Sequence, residues 1–148
     1  LKTGDHLEWS SEPGEVCACG SAERRFVLHG RVDGRMHVFS SRILWEEIES
    51  AFARANVRAP VFQVVLEDAS VGGFHETLTV RFESSVKPDA LAFESLRSAV
   101  HSGCKDLAAT HAWDDVAVAI LAEHFLPGGI PRVARTGKVR PILDLRKL

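Results

Sequence analysis

Two runs rich in β-branched and aromatic residues, Val61–Leu66 and Thr77–Phe82, lie between two stretches of helical periodicity. Each run has the length of a strand, and a loop with a glycine pair joins them, so together they predict a β-hairpin. Apolar residues recur near helical spacing through Leu44–Ala55 and again through Ala90–His101. This alternation restricts the chain to a small α/β or α+β domain, in which helices flank a sheet of about three strands.

The rest of the chain predicts shorter elements. Residues 1–24 are expected to be irregular, and Ser41 is a plausible N-cap for the first helix. The glycine-, proline- and arginine-rich stretch Leu126–Lys138 predicts a long loop, followed by a short tail helix near Ile142–Leu148. Further short strands are expected at Arg25–His29, Met36–Phe39 and Asp115–Leu121.

Composition excludes several classes of protein. The chain has 148 residues, 45% of them hydrophobic and 26% charged, with a formal net charge of -2. These values favour a soluble globular protein and give no basic excess for nucleic acid. No apolar run approaches the roughly 20 residues that span a bilayer. The polar start, Leu1–Asp5, lacks the apolar segment of a signal peptide. It also lacks an initiator Met, so we expect a fragment of a longer protein or a piece left after processing.

The cysteines favour a reducing compartment. Cys17 and Cys19 are too close for a comfortable disulfide, and Cys104 lies far along the chain, so reduced thiols in a cytoplasm fit best. Cys17, Cys19 and a histidine could in principle hold zinc. Because C-x-C lacks the usual C-x2-C spacing and a second pair of ligands, no metal site is predicted.

Three segments carry residues suited to chemistry. The carboxylate in Thr3-Gly4-Asp5 could accept two hydrogen bonds from a ribose diol, although such a tripeptide is also an ordinary turn. Arginines flank glycine bends in Gly30–Arg35, where they could grip phosphate or ribose, or form a solvated charged turn. Lys138 follows Gly137 in the long loop and could be delivered to a developing negative charge, or belong to a flexible basic loop.

Taken in order, these segments resemble the adenylate-forming superfamily of acyl-CoA synthetases, peptide-synthetase adenylation domains and luciferases. The series is TGD, then GR-x-D, then R-I-x-x-x-EIE, then PR-x-x-x-T-GK. Cys17–Gly20 (CACG) and Gly137–Arg146, which follows GK-x-x-R-x-x-D-x-R, resemble phenylacetate–CoA ligase-like proteins. The resemblance covers nearly the whole chain and matches the end of such an enzyme.

The resemblance implies a ligase that uses ATP to convert an aryl or acyl carboxylic acid to acyl-AMP. The acyl group then passes to CoA, a carrier-protein thiol or another acceptor. Residues 1–30 would end a large N-terminal domain that binds most of the ATP and Mg²⁺. Residues 31–148 would form a mobile C-terminal domain that is active only together with the larger one. No nucleic acid or membrane partner is implied.

Individual residues match positions of the family pattern, and the resemblance implies their roles. Asp5 would hold the ribose hydroxyls, and Arg31 would also contact the nucleotide. Arg42 would approach the phosphate, and Asp33 would be the hinge about which the small domain rotates. Lys138 would bridge the carboxylate substrate and the α-phosphate during adenylation.

The sequence departs from the family pattern at two positions. Ser40 stands where a glycine usually borders the path of the acceptor thiol, and its larger side chain would narrow that path, so whether CoA is the acceptor stays open. Trp45 replaces the usual proline before the EIE helix. An alternative interpretation therefore remains: a stand-alone or degenerate domain that binds a partner without catalysis.

Overall fold

The computed structural model describes residues 5–11, 14–16, 18–21, 23–31, 34–68 and 72–146, with the backbone alone for 5–8 and 27–31. The chain divides into two compact units, Leu1–Arg35 and Met36–Leu148. Each unit is considered separately. The expected boundary between residues 30 and 31 stays a prediction.

The first unit contains an antiparallel pair of strands, β1 (Asp5–Trp9) and β2 (Phe26–Arg31). The Trp9 ring meets Phe26 edge-on at 6.1 Å between centroids, and the Arg24 guanidinium lies 4.2 Å above the Trp9 ring. The expectation that residues 1–24 are wholly irregular is therefore wrong. A five-residue strand has too short a pattern to recognise, and pairing with β2 is what supplies its hydrogen bonds.

The second unit begins with a hairpin that leads into a helix. Strands β3 (Arg35–Val38) and β4 (Ser41–Leu44) pair, and α1 (Trp45–Arg54) follows directly. The Glu47 carboxylate accepts a hydrogen bond from the Leu44 backbone at 2.9 Å, which satisfies the helix start. Ser41 is thus in a strand, and its predicted role as N-cap is wrong.

Trp45 occupies the first position of α1, where proline is also favoured. Its ring stacks on Phe62 at 4.3 Å between centroids, and its indole nitrogen donates to Glu49 at 2.9 Å. The departure from the family pattern therefore replaces a residue with a fixed backbone angle by an aromatic ring packed on the sheet.

The main sheet has four strands, one more than the three or so expected: β5 (Val61–Asp68), β6 (Glu76–Glu83), β7 (Val118–Phe125) and β8 (Ile142–Asp144). They lie in the order β7-β6-β5-β8. The predicted hairpin is confirmed, because β5 and β6 pair antiparallel from Val61 opposite Glu83 to Asp68 opposite Glu76. The outer strands β7 and β8 run parallel to β6 and β5, respectively.

The expected tail helix near Ile142–Leu148 is wrong for the residues described, since Ile142–Asp144 is strand β8. The Pro141 carbonyl accepts from the Val64 amide at 2.8 Å, and the Leu145 amide donates to the Leu66 carbonyl at 2.8 Å. The backbone groups along the outer edge of β5 need partners, and the tail provides them as a strand. Three alternating residues give no periodicity that distinguishes a strand from a helix.

Two helices connect β6 to β7. Helix α2 (Ala90–Gly103) is the predicted one, capped by Asp89, whose Oδ1 accepts from the Ala92 amide at 2.8 Å. Helix α3 (Lys105–Trp113) was not predicted, because Leu107 is its one fully buried large side chain. None of the described helices is long and apolar enough to cross a membrane.

The core lies between α1, α2 and one face of the sheet. On β5 and β6 the inward residues alternate, as expected for strands with one face on a core. Each fully buried aliphatic or aromatic side chain contributes about 1.5–3 kcal/mol. Inward residues include Val64, Leu66, Leu78, Val80 and Phe82 of the sheet and Ile48, Phe52, Leu96 and Val100 of the helices.

Candidate active site

The Lys138 loop, residues 132–139, is a closed turn. An isolated antiparallel bridge joins Arg132 to Val139, and the Val133 amide donates to the Lys138 carbonyl at 2.9 Å. The Gly137 amide donates to the Val133 carbonyl at 2.8 Å, and Gly137 has φ 66°, which glycine adopts without steric cost. Hydrogen bonds within the loop therefore fix the backbone at Lys138.

A buried carboxylate ties the Lys138 loop to the sheet. Glu83, the last residue of β6, is 3% exposed. Its Oε1 accepts from the Ile130 amide at 2.9 Å and from Arg132 Nη1 at 3.0 Å, and its Oε2 accepts from Arg132 Nη2 at 2.9 Å. The hydrogen bonds from Arg132 outweigh burial and lower the pKa of Glu83 to about 2. The carboxylate therefore stays charged and grips the loop at two points.

The Lys138 side chain is exposed on this anchored loop. Its ammonium makes no hydrogen bond or ion pair with any residue of the described ranges, whereas Arg132 of the same loop is fully engaged. Arg132 thus anchors the loop, whereas Lys138 is available to contact a ligand.

Ser40 lies in the tight turn between β3 and β4. Its side chain is exposed, and its Oγ is 3.3 Å from Thr110 Oγ1 of α3. The neighbouring Ser41 hydroxyl is buried and donates to the same Thr110 oxygen at 2.7 Å. An open cavity of about 370 Å³ borders the turn, with Phe39, Ser40 and the exposed Trp113 among its lining residues. A larger side chain at position 40 would therefore occupy space beside this cavity.

Arg42 lies on β4, two residues beyond Ser40, with an exposed side chain. Among the residues that the structure describes, none forms an ion pair or hydrogen bond with its guanidinium. Like Lys138, it is a charge that the protein itself leaves uncompensated within the described residues.

Lys138 and Ser40 lie at opposite ends of the main sheet. The Lys138 loop is tied to Glu83, the last residue of β6, while the Phe39 amide donates to Glu76, its first residue, at 2.8 Å. Seven residue steps of a strand separate these two anchors by about 23 Å. A single reacting group therefore cannot contact Lys138 and Ser40 at the same time.

The first unit brings two other predicted site residues together. Asp5 and Arg31 are directly opposite each other in the β1–β2 pair, and the register shifts between His6 and Leu7 just beside them. Backbone positions across such a pair are about 4.5–5.5 Å apart. Their side chains, and the whole of Asp33, lie outside what the structure describes.

The cysteines show no catalytic arrangement in the described part of the chain. Cys19 is exposed and free, and Cys17 lies outside the described residues. Cys104 is buried, and burial raises the pKa of its thiol to about 12, which keeps it protonated and unreactive. No three His, Cys, Asp or Glu side chains of the described ranges group as metal ligands do.

Sequence reasoning did not identify Glu83, Glu76 or Thr110. Two features of the sequence could have indicated Glu83. Its carboxylate lies on the strand face opposite the core, and Arg132 lies in a long loop that needs an anchor. Glu76 and Thr110 act on the Ser40 turn from 37 and 70 residues away, respectively, and no local pattern reports such contacts.

Comparison with known proteins identifies the fold. No protein-family model and no curated protein sequence matches the chain. Among solved structures, GH3.15 acyl acid amido synthetase superposes with a TM-score of 0.58 at 14% identity, over 85% of this chain and 23% of that one.

Two other solved structures are less similar in TM-score. A domain of phenylacetate-coenzyme A ligase from Bacteroides vulgatus ATCC 8482 gives 0.46 at 17% identity, over 78% of this chain and 95% of that domain. A 2-hydroxyisobutyryl-CoA ligase complex gives 0.47 at 21% identity, over 98% of this chain and 28% of that one. The chain thus spans about a quarter of the length of the two larger ligases. The expected α+β fold, with helices flanking a small sheet, is confirmed, and part of the acyl acid amido synthetase shares it.

Proposed function

We propose that this chain is the lysine-bearing portion of an ATP-dependent ligase that activates a carboxylic acid. In the first half-reaction the carboxylate attacks the α-phosphorus of ATP, forming acyl-AMP and releasing pyrophosphate. In the second, an acceptor such as the CoA thiol attacks the acyl carbonyl and AMP leaves. A large N-terminal domain would bind most of the ATP and its Mg²⁺.

The observation that carries this proposal is the state of Lys138. It is exposed on a loop that Glu83 and Arg132 hold to the sheet, and no described residue neutralises its charge. During adenylation, negative charge accumulates around the α-phosphorus. An ammonium held beside that charge stabilises the transition state by about 3 kcal/mol or more, which corresponds to about two decades of rate.

Placement at opposite sheet ends supports a two-orientation cycle. The residues that anchor the Lys138 loop and the Ser40 turn, Glu83 and Glu76, are about 23 Å apart along β6, so Lys138 at the substrate leaves the Ser40 turn away from it. Rotation about a hinge at Asp33 would exchange the two ends, withdrawing Lys138 and bringing the Ser40 turn to the acyl-AMP. Ser40 would then border the path of the acceptor, where its hydroxymethyl group occupies space that glycine would leave open.

In this proposal Asp5 and Arg31 supply the nucleotide contacts from the first unit, supported by their opposed positions in the β1–β2 pair. The proposed contacts are carboxylate to ribose hydroxyls and guanidinium to the nucleotide. Arg42 would add a positive charge at the phosphate. A cytoplasmic location is proposed with the enzyme.

Exchange of radiolabelled pyrophosphate into ATP tests the proposal in the longer protein of which this chain is proposed to be part. With a panel of aryl and acyl acids, we expect acid-dependent exchange, and Lys138→Ala should reduce it at least about a hundredfold. Arg135→Ala is the matched control, since Arg135 is an exposed cation of the same loop. Absence of exchange with every acid, or equal losses in the two variants, would contradict the proposal.

A further inference from the structure

The turn at Phe39–Ser40 has a backbone that its own sequence does not favour. Phe39 has φ 49°, in the left-handed region that bulky residues rarely adopt. Ser40, the position usually taken by glycine in the resembled family, does not have a positive φ. A conformation of this kind persists where surrounding contacts hold it.

One carboxylate oxygen links this turn to the C-terminal tail. Glu76 Oε2 accepts from the Phe39 amide at 2.8 Å and from Arg146 Nη1 at 2.7 Å. Arg146 is in turn held by Asp144, with Nε 2.9 Å from Oδ1 and Nη2 2.5 Å from Oδ2. The side chains of Glu76 and Arg146 are each 21% exposed, so the pair is partly withdrawn from solvent. The tail therefore reaches the strained turn through a single intermediary, Glu76.

The aromatic ring of Phe39 is held as well. It stacks on His75 with 5.1 Å between centroids and 7° between planes. His75 Nε2 lies 3.4 Å from Asp114 Oδ2 at the end of α3. Two consecutive residues, His75 and Glu76, thus restrain the side chain and the backbone of Phe39.

The same tail begins at the other candidate site. Beyond Lys138, the Arg140 carbonyl accepts from Gln63 Nε2 at 2.8 Å, and β8 then runs beside β5 to the Leu145 amide, which donates to Leu66. Arg146 follows immediately. A continuous sheet-bound segment therefore connects the base of the Lys138 loop to the Ser40 turn.

The geometry points to Glu76 as a positioning residue that fixes the Phe39–Ser40 turn, with Arg146 fixing Glu76. This assignment rests on the proposed function, in which the turn borders the acceptor path in the second half-reaction. Glu76 touches neither substrate nor nucleotide in this account. It acts through the backbone of Phe39, so its loss should affect acyl transfer and spare acyl-AMP formation.

A structural measurement on the 148-residue chain examines the contact alone. Hydrogen exchange of the Phe39 amide, followed by NMR, should accelerate at least about tenfold in Glu76→Gln, because a charged acceptor is lost. Arg146→Ala should accelerate this exchange less. The double variant should exchange only slightly faster than Glu76→Gln, since both substitutions act on the same contact with the Phe39 amide. Glu123→Gln, which removes the Arg81–Glu123 pair on the same sheet, is the matched control and should leave the Phe39 amide unchanged.

A kinetic measurement on the longer protein examines the consequence. Glu76→Gln should slow acyl transfer from acyl-AMP to CoA about tenfold while the rate of acyl-AMP formation stays at the wild-type value. Glu123→Gln should leave both rates unchanged. A general loss of folding would instead slow both half-reactions together, so the split between them separates positioning from stability.

Either of two results would overturn the positioning role. One is an unchanged exchange rate of the Phe39 amide in Glu76→Gln. The other is a faster exchange of that amide while the rates of both half-reactions are unchanged or equally slowed. A wild-type protein that forms no acyl-AMP would contradict the proposed function instead, while the amide measurement would still decide whether Glu76 holds the turn.

Discussion

The Glu83 carboxylate controls the attachment of the Lys138 loop. It is buried, yet it accepts from one backbone amide and two guanidinium nitrogens, so its charge is compensated where water is excluded. Removing Arg132 would leave the Glu83 carboxylate buried and uncompensated, which costs more than an exposed ion pair is worth. The residue that places Lys138 is therefore distant from it in sequence.

We expect Glu83→Gln to lower the free energy of unfolding by about 1.5–3 kcal/mol at pH 7, because a neutral amide replaces the charged acceptor of these hydrogen bonds. The pKa of Glu83 is lowered from 4.5 to about 2 in the folded chain, so between these values the unfolded chain binds more protons. The contribution of Glu83 is therefore fully present above pH 4.5 and is lost as the pH falls toward 2.

Urea unfolding of wild type and Glu83→Gln at pH 7 and pH 3 measures this effect. The difference in unfolding free energy between the two proteins should shrink at pH 3. Glu94→Gln, which removes the exposed pair with Arg97, should change stability by no more than about 1 kcal/mol at either pH. A Glu83→Gln difference that is the same at both pH values would contradict the depressed pKa.

Candidate site residues could be identified from the sequence where a motif lies within one short segment. In Gly137-Lys138 a lysine directly follows a glycine, and this pattern indicated a cation in a loop. The structure places Lys138 on a loop with its side chain exposed. Glu83 and Glu76 could not be identified in this way, because their importance arises from partners brought together by the sheet.

At the scale of elements, the tail strand β8 closes one edge of the sheet. It pairs parallel with β5 from Ile142 opposite Val64 to Asp144 opposite Leu66, and the Leu145 amide continues the pairing. An open edge on β5 would expose unpaired backbone groups to other chains. The tail is therefore part of the sheet and leads directly from the Lys138 loop.

Leu145→Pro tests the tail pairing. Proline has no amide hydrogen to donate to the Leu66 carbonyl, so the unfolding free energy should fall by about 1–3 kcal/mol. Leu145→Ala is the matched control, because the Leu145 side chain is 50% exposed and contributes little burial. Chemical denaturation of both variants gives the comparison, and equal stability of the two would show that the backbone bond does not matter.

The longer strands, the helices α1 and α2 and the short strands β2 and β3 were predictable, whereas β1, β4, α3 and β8 were not. Val61–Leu66 and Thr77–Phe82 carry enough β-branched and aromatic residues to specify strands, and α1 and α2 bury repeated apolar positions. Strand β8 has three residues and α3 buries a single large side chain, so their conformations are set by contacts with the sheet and the turn at Ser40.

At the scale of the whole molecule, the length of the sheet separates the Lys138 loop from the Ser40 turn. The Lys138 loop is attached at the Glu83 end and the Ser40 turn at the Glu76 end, about 23 Å apart. A rigid sheet keeps this separation constant. Replacing the Lys138 loop by the Ser40 turn at a bound substrate would therefore require the whole unit to rotate as a rigid body. This arrangement is the physical basis of the proposed two-step cycle.

The 148-residue chain alone should be inactive. It offers exposed cations and a shallow cavity at the turn, but the proposed site needs an acyl pocket and a phosphate-binding loop from the large domain. We expect no pyrophosphate exchange and no calorimetric binding of AMP in the micromolar range. Micromolar AMP binding by the chain alone would show that the nucleotide site is complete within it.

The most direct test of whether the Lys138 loop and the Ser40 turn serve different half-reactions compares two variants of the longer protein. Single-turnover kinetics should show that Lys138→Ala slows acyl-AMP formation at least about a hundredfold and leaves transfer from preformed acyl-AMP nearly unchanged. Ser40→Leu, which crowds the turn, should show the reverse pattern, with transfer to CoA slowed and acyl-AMP formation unchanged. If each variant slowed both half-reactions equally, the Lys138 loop and the Ser40 turn would not serve separate steps, which would contradict the proposed cycle.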